Sequence, residues 1–294
     1  MAAMAWLVLG ISPLLAADTV IIKSNDIAPY NQAIEGFTQE IGVKSDKYDL
    51  GGKADSISGI AGKIRSNPPK LIFALGALAA VEAKKNFPDI PIIYTLVFTP
   101  GDKELAGRNM SGIAIEVDNR AQLAAFKGVI PGMKRIGVLY SSLTEQKILK
   151  AVEDCWSLGL ELVAVKLNRA GDVPEGIKKL AGSVDGLWLI PDSVVVNQDS
   201  LQYILLLTLE NKIPFMVYNK NFVKAGALLA PVVDYTRIGQ QAGRLGRQVL
   251  QGKELPDAVL PPAGVEWAVN LQTARNMKLH LSNQTLTSFK YVYK

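Results

Sequence analysis

An α/β fold made of two like lobes is predicted for this chain, and three features of the sequence predict it. The same unit is written twice. VIIKSNDIAPYNQAIEGFTQEIG, from Val20 to Gly42, reads as an apolar strand, a polar turn and an amphipathic helix, and IGVLYSSLTEQKILKAVEDCWSLG, from Ile136 to Gly159, repeats that plan 116 or 117 positions later. Further pairs follow: LIFALGALAAVEA from Leu71 with LWLIPDSVVVNQ from Leu187, again 116 apart, and PIIYTL from Pro91 with PFMVYN from Pro214, 123 apart. Within each copy strands alternate with helices, which implies a parallel sheet with right-handed crossovers, and two facing lobes of this kind make a cleft.

The elements are read in order. The first 17 residues, MAAMAWLVLGISPLLAA, hold no charged side chain and end in small residues before Asp18, as in a cleaved secretory signal; no Lys or Arg precedes the apolar run, which departs from the usual signal. The alternative is a buried N-terminal helix. Gly10 and Pro13 interrupt the segment, which is short for a membrane span. From Thr19 to about Thr99 the order is strand, helix, strand, helix, strand, helix, strand, with breaks at Asn67-Pro68-Pro69 and Pro100-Gly101. NMSGIAIEV, from Asn109, leads into a helix over Arg120 to Val129 that Pro131-Gly132 ends. Lys134 to Asn219 runs through the second copy, in which LQYILLLTLENKI, from Leu201, is a helix buried against a sheet. Val232 to Tyr235 precedes a helix whose Gly239, Gly243 and Gly246 leave a thin face for close packing, and Val265 to Asn270 is expected as the last strand.

Composition narrows the function. The balance of 49% hydrophobic and 20% charged residues is globular. A net charge of +5 raises the question of nucleic acid, but pairs such as Lys84-Lys85 and Lys178-Lys179 sit on polar helix faces rather than in a patch, and no helix-turn-helix candidate precedes the first unit. Cys155 is the only cysteine, so an intrachain disulfide, a cysteine-rich zinc site and a lipoprotein cleavage site are excluded. His280, the only histidine, lies away from every expected cleft loop, which argues against a Ser-His-Asp or Cys-His centre and against metal sites built on these ligands. There is no glycine-rich phosphate loop, and no catalytic residue, metal or cofactor is expected.

Ligands of open parallel sheets bind beyond the carboxyl ends of the strands. The candidate ligand-binding residues are therefore Asn25, Asp26, Gly76, Ala77, Leu78, Val97, Phe98, Tyr140, Ser141, Ser142, Asp192, Ser193, Asn219 and Asp234. Several precede helices, whose free N–H groups and positive dipole ends suit a carboxylate. Asp192 is placed to pair with an α-amino group, and Tyr30, Phe98, Tyr140 and Tyr218 are candidate aromatic walls. Helix capping uses the same Ser, Asn and Asp residues at the same places and is the competing reading. An enzyme using Asp26 and Asp192 as acid and base is a third.

PPKLIFALGALAAVEA, DIPIIYTLV, SGIAIEVDNRAQL, PGMKRIGVLYSS, GLELV, VDGLWLIPDS, KIPFMVYN, VKAGALLAPVVDYTRIGQQAGRLGRQVLQGK and VNLQTARNMKL together resemble the ABC-transporter substrate-binding proteins of the tryptophan/tyrosine-binding type, from about Val20 to Leu281. The resemblance implies a type I periplasmic binding protein fold: two Rossmann-like lobes joined by three crossings, with the helix of the 230s returning to the first lobe and the C-terminal strand to the second. The expected organisation is residues 1–17 as signal segment, 18–112 with 233–262 as first lobe, and 113–232 with 263–294 as second. The family often has Thr-Pro where this chain has Ala77-Leu78, and Thr-Asp-Pro where it has Phe98-Thr99-Pro100, so substrate identity does not carry over. The implied function is that of a monomeric periplasmic protein closing by a hinge on a small organic ligand, an amino acid with an aromatic or branched apolar side chain, and docking transiently on an ABC permease. A sensor reporting to a membrane receptor is the alternative.

Overall fold

The computed structural model describes residues 17–97 and 103–294. The expected signal segment up to residue 16, and Phe98 to Asp102, lie outside the described residues; Ala17 is buried. The chain divides into two compact units. Unit 1 comprises the described residues up to Ile115 together with Tyr235–Leu260, and unit 2 comprises Glu116–Asp234 with Pro261–Lys294.

In unit 1 the order is β1 (Thr19–Lys23), α1 (Ala28–Ile41), β2 (Ser45–Asp49), α2 (Ser56–Ser66), β3 (Leu71–Leu75), α3 (Ala77–Asn86), β4 (Ile92–Thr95) and β5 (Met110–Ile113). Unit 2 follows with α4 (Asn119–Val129), β6 (Arg135–Tyr140), α5 (Glu145–Ser157), β7 (Glu161–Lys166), α6 (Val173–Leu180), β8 (Gly186–Trp188), α7 (Gln198–Glu210), β9 (Phe215–Met216), α8 (Lys220–Lys224) and β10 (Leu229–Val232). The chain returns to unit 1 for α9 (Tyr235–Leu250) and β11 (Val259–Leu260). It finishes in unit 2 with β12 (Glu266–Asn270), α10 (Leu271–Asn276), α11 (Asn283–Thr287) and β13 (Tyr291–Tyr293).

The sheet of unit 1 is ordered β11-β5-β4-β3-β1-β2 and all its pairings are parallel. The sheet of unit 2 is ordered β13-β12-β10-β9-β8-β6-β7. The run β2-β1-β3-β4-β5 in one unit matches β7-β6-β8-β9-β10 in the other, so the sequence repeat is a repeat of topology. Unit 2 departs from the expected all-parallel sheet at one edge. There β12 runs antiparallel to β10, pairing Leu229 with Val269 and Val232 with Glu266, and β13 adds a strand beyond the one expected to be last. The short, half-exposed YVY run carries too little apolar periodicity to announce that strand.

Central strands flanked by helices on both faces are apolar throughout, and β3 shows it: Leu71 to Leu75 are all fully buried. Against this sheet α1 packs on α9 at the separation that glycine permits. A Cβ at Gly239 would lie 1.9 Å from the carbonyl oxygen of Ala33, and one at Gly36 the same distance from that of Thr236. The core of unit 2 is centred on Trp188, whose Nε1 donates to Gln122 Oε1 at 3.0 Å, so the indole is buried without an orphan donor. Among the described residues, no helix is long and apolar enough to cross a membrane.

Candidate functional site

Each sheet has one place where the strand order reverses, and beyond the carboxyl ends of the two strands flanking that place a doubly wound sheet opens a crevice. In unit 1 the reversal falls between β1 and β3, and in unit 2 between β6 and β8.

At the unit 1 reversal the chain leaves β1 through Ser24 and β3 through Gly76. Ser24 is buried; its Oγ donates to Leu75 O at 2.9 Å and accepts from Ala79 N at 3.0 Å. A serine 55 positions upstream thus caps α3, whose own N-cap is Gly76 at φ +87° and has no side chain to offer. Tyr30, on the first turn of α1, brings its hydroxyl to Gly76. Ala77 is exposed and Leu78 half-buried at the start of α3. Asn25 and Asp26 lie exposed on the β1–α1 loop, where Asp26 accepts from Lys23 Nζ at 2.7 Å and Asn31 Nδ2 at 2.8 Å. Those two bonds hold the Asp26 carboxyl below its usual range. Beyond β4, Leu96 takes a left-handed φ of +60°, uncommon for a branched side chain, and Val97 points into the core. Phe98 is outside the described residues. A groove of about 490 Å3 between α1 and β2, lined in part by Ile21, Ile34, Tyr48 and Asp49, opens on the β2 side of β1 and not at the reversal.

At the unit 2 reversal the structure joins two of the expected residues directly. The Asp192 carboxylate, 4% exposed, accepts from Ser141 N at 2.8 Å, Ser141 Oγ at 2.9 Å and Thr144 Oγ1 at 2.6 Å, and from Val194 N and Val195 N at 2.9 and 3.3 Å. Burial works to raise the Asp192 pKa, but the bonds from Thr144 and Ser141 outweigh it and hold the carboxyl below its usual range. An ionised carboxylate has about four acceptor positions, and five donors fill them. Ser141 Oγ also accepts from Leu143 N at 3.2 Å, capping the 3-10 turn over Ser142–Thr144. Thr144 is a member of this network that reading the sequence missed; its hydroxyl, three positions past Ser141, is the only signal for it. Tyr140 is half-buried against the core, and Ser142 and Ser193 are exposed.

Two candidates stand apart from the reversals. Asn219 caps α8, accepting from Asn221 N at 2.9 Å. Asp234 ends unit 2's second-last stretch before α9, with Lys290 Nζ 4.0 Å away. The capping reading therefore describes Ser141, Asn219 and Ser24 in this structure. Cys155 is buried in unit 2, and burial together with Asp154 pushes its thiol up to about 11. Among the described residues no group of three or more His, Cys, Asp or Glu is arranged to hold a metal ion.

Two doubly wound units of like topology, between which the chain passes three times, give the fold of the type I periplasmic binding proteins. The model of the ABC transporter substrate binding protein family matches residues 19–292, and the chain belongs to that family. It is 29% identical over 232 residues to the tyrosine-binding protein of Clostridioides difficile, covering 76% of this chain and 67% of the relative. It is similar in structure to the ligand-free, open form of CD0873, a substrate binding protein with adhesive properties from Clostridium difficile (TM-score 0.78, 23% identity, covering 94% of this chain and 99% of the other). A domain from Streptococcus pneumonia in complex with L-Trp superposes with a TM-score of 0.56 at 18% identity, covering 93% and 99%. The arabinose-binding protein AraP from Geobacillus stearothermophilus gives 0.58 at 12%, covering 90% and 99%. The family is one of substrate-binding proteins.

Proposed function

We propose that this protein is the extracytoplasmic, monomeric binding component of an ABC importer, and that its ligand is an amino acid with an aromatic or branched apolar side chain. The observation that carries this reading is that each strand-order reversal is flanked by a strand-end serine tied to the neighbouring strand end or loop: Ser24 to Leu75 and Ala79, Ser141 to Asp192. The resemblance to a protein named for tyrosine binding and to a fold solved with L-Trp supports the ligand class.

In this reading the start of α3 at Gly76, Ala77 and Leu78 receives the ligand carboxylate on backbone N–H groups. Asn25, Ser142 and Ser193 supply exposed polar contacts. Leu78 and Tyr140, each half-buried, supply apolar surface. Asp192 holds Ser141 and Thr144 in place, and the ligand ammonium reaches it only by displacing one of its present donors. Both units contribute contacts, and the ligand stabilises the state in which they close on it. The first 17 residues direct export and are removed.

A ligand that binds only the folded state must raise its melting temperature. Thermal-shift measurements over the amino acids, nucleosides and small carboxylates should therefore give the largest rise with an aromatic or branched apolar amino acid. A rise confined to another solute class would overturn the ligand assignment.

A further inference from the structure

One helix of unit 2 carries two apolar stripes, and only one of them is buried. Ile148, Ala151 and Cys155 form the buried face of α5. Leu149, Val152 and Trp156, each one position later, repeat the same spacing and make a second stripe about 100° further round the helix. That stripe is 57%, 48% and 83% exposed. It lies toward β7, because Glu145, one turn before Leu149 on the same line, accepts from Lys166 Nζ of that strand at 2.8 Å. β7 is in turn the edge of its sheet. Glu161 N donates to Lys134 O and Leu167 N to Tyr140 O, on the β6 side, so by alternation Leu162, Ala164 and Lys166 present their N–H and C=O groups outward. Exposed edges are ordinarily guarded by charge. β2, which holds the matching place in unit 1, has Asp46, Lys47 and Asp49 among its five residues, whereas β7 reads ELVAVK, with charge at its two ends alone. An unguarded edge beside an exposed tryptophan stripe has the character of a contact face.

We propose that the outer edge of β7 and the outer stripe of α5 form a self-association face, on which a second copy of this chain seats about a two-fold axis. The two β7 strands then run antiparallel. With Ala164 on the axis, the outward groups of Leu162 meet those of Lys166 in the mate, and the two stripes pack side by side. Charge favours a second copy over an unrelated strand. Lys150 and Glu153 are exposed on the solvent side of the stripe, and among the described residues neither has an ion-pair partner. Helices related by a two-fold run in opposite directions, which sets each Lys150 toward the Glu153 of the other copy and fixes the register. A six-residue edge and one helix stripe make a small interface, so the pairing is weak and reversible, and the dilute protein is the monomer of the reading above. The proposal goes beyond that reading and does not depend on it.

Sedimentation of the purified protein from about 1 μM to about 1 mM, the span of weak association, tests it. Wild type should pass from one to two copies within that range. Trp156→Glu should weaken association about tenfold or more without lowering the melting temperature, since the ring is exposed. Ala164→Pro, which removes an outward N–H and no bond within the sheet, should weaken it from the strand side alone. Lys150→Glu brings like charges together and should also weaken it, and adding Glu153→Lys to that variant should restore it, as only a contact between two copies allows. Wild type that stays a single copy at every concentration would overturn the proposal and leave the face to a partner of another kind. Association that Trp156→Glu and Ala164→Pro leave unchanged would place the interface elsewhere and overturn it equally. Solute binding is read separately by the thermal shift, so neither result bears on the importer reading.

Discussion

The Asp192 carboxylate serves Ser141, Thr144, Val194 and Val195 at once, and a group so used is first a structural one. Removing it leaves buried donors unpaired, so Asp192→Ala should lower stability by about 1–3 kcal/mol, read as a fall in melting temperature without ligand. An unchanged melting temperature would show that the network does not hold the loop. The pH dependence follows from the direction of the shift. Asp192 and Asp185, the latter with bonds from Lys134 N and Arg135 N, are both held below their ordinary value of 3.8 in the folded chain. The folded state therefore binds protons less readily than the unfolded one. Their contribution is complete above pH 3.8 and is lost as the pH falls through the lower folded values. Acid titration of the melting temperature should show a steep limb below that pH in wild type and a shallower one in Asp192→Ala.

Between helices the decisive quantity is space. Gly239→Ala drives a methyl to 1.9 Å from a backbone carbonyl of α1, where no side chain can yield, so the helices must separate. A loss of about 1–3 kcal/mol or more is expected. Gly62, in α2, is the internal contrast: a Cβ there meets nothing within 4 Å. Gly62→Ala should stabilise by roughly 0.5–1 kcal/mol through the lower backbone entropy of the unfolded chain. Thermal denaturation of the two variants side by side checks both signs, and equal effects would mean that α1–α9 contact does not limit stability. The thin face of α9 was legible in the spacing of Gly239, Gly243 and Gly246. Its partner was not, because nothing in α1 beyond Gly36 marks a helix that will approach so closely.

For the molecule as a whole, the proposed function makes the ligand the link between units that the chain itself joins at three crossings, after Ile115, Asp234 and Leu260. If both units hold the ligand, small-angle scattering should show a smaller radius of gyration in the saturated protein than in the free one. A saturable ligand that leaves the scattering profile unchanged would place the binding energy in one unit and refute closure.

What the sequence alone determined is what local pattern can encode. Apolar periodicity and glycine and proline punctuation mark the strands and helices, and the repeat at 116 positions predicts like topology, borne out by β2-β1-β3-β4-β5 against β7-β6-β8-β9-β10. The strand-end loops were legible for the same reason, since a carboxyl strand end is a position along the chain. What each loop side chain does was decided only by tertiary structure. Ser24 caps a helix 55 positions away, Asp192 finds its donors on a loop some 50 positions back, and Tyr30 rests on Gly76. Hydroxyls and carboxylates are equally able to cap, to bind or to bridge, and the choice among these depends on which backbone groups the fold brings within hydrogen-bonding reach. The antiparallel β12 and the added β13 are of the same kind: short edge strands whose pairing comes from the neighbour and not from their own pattern.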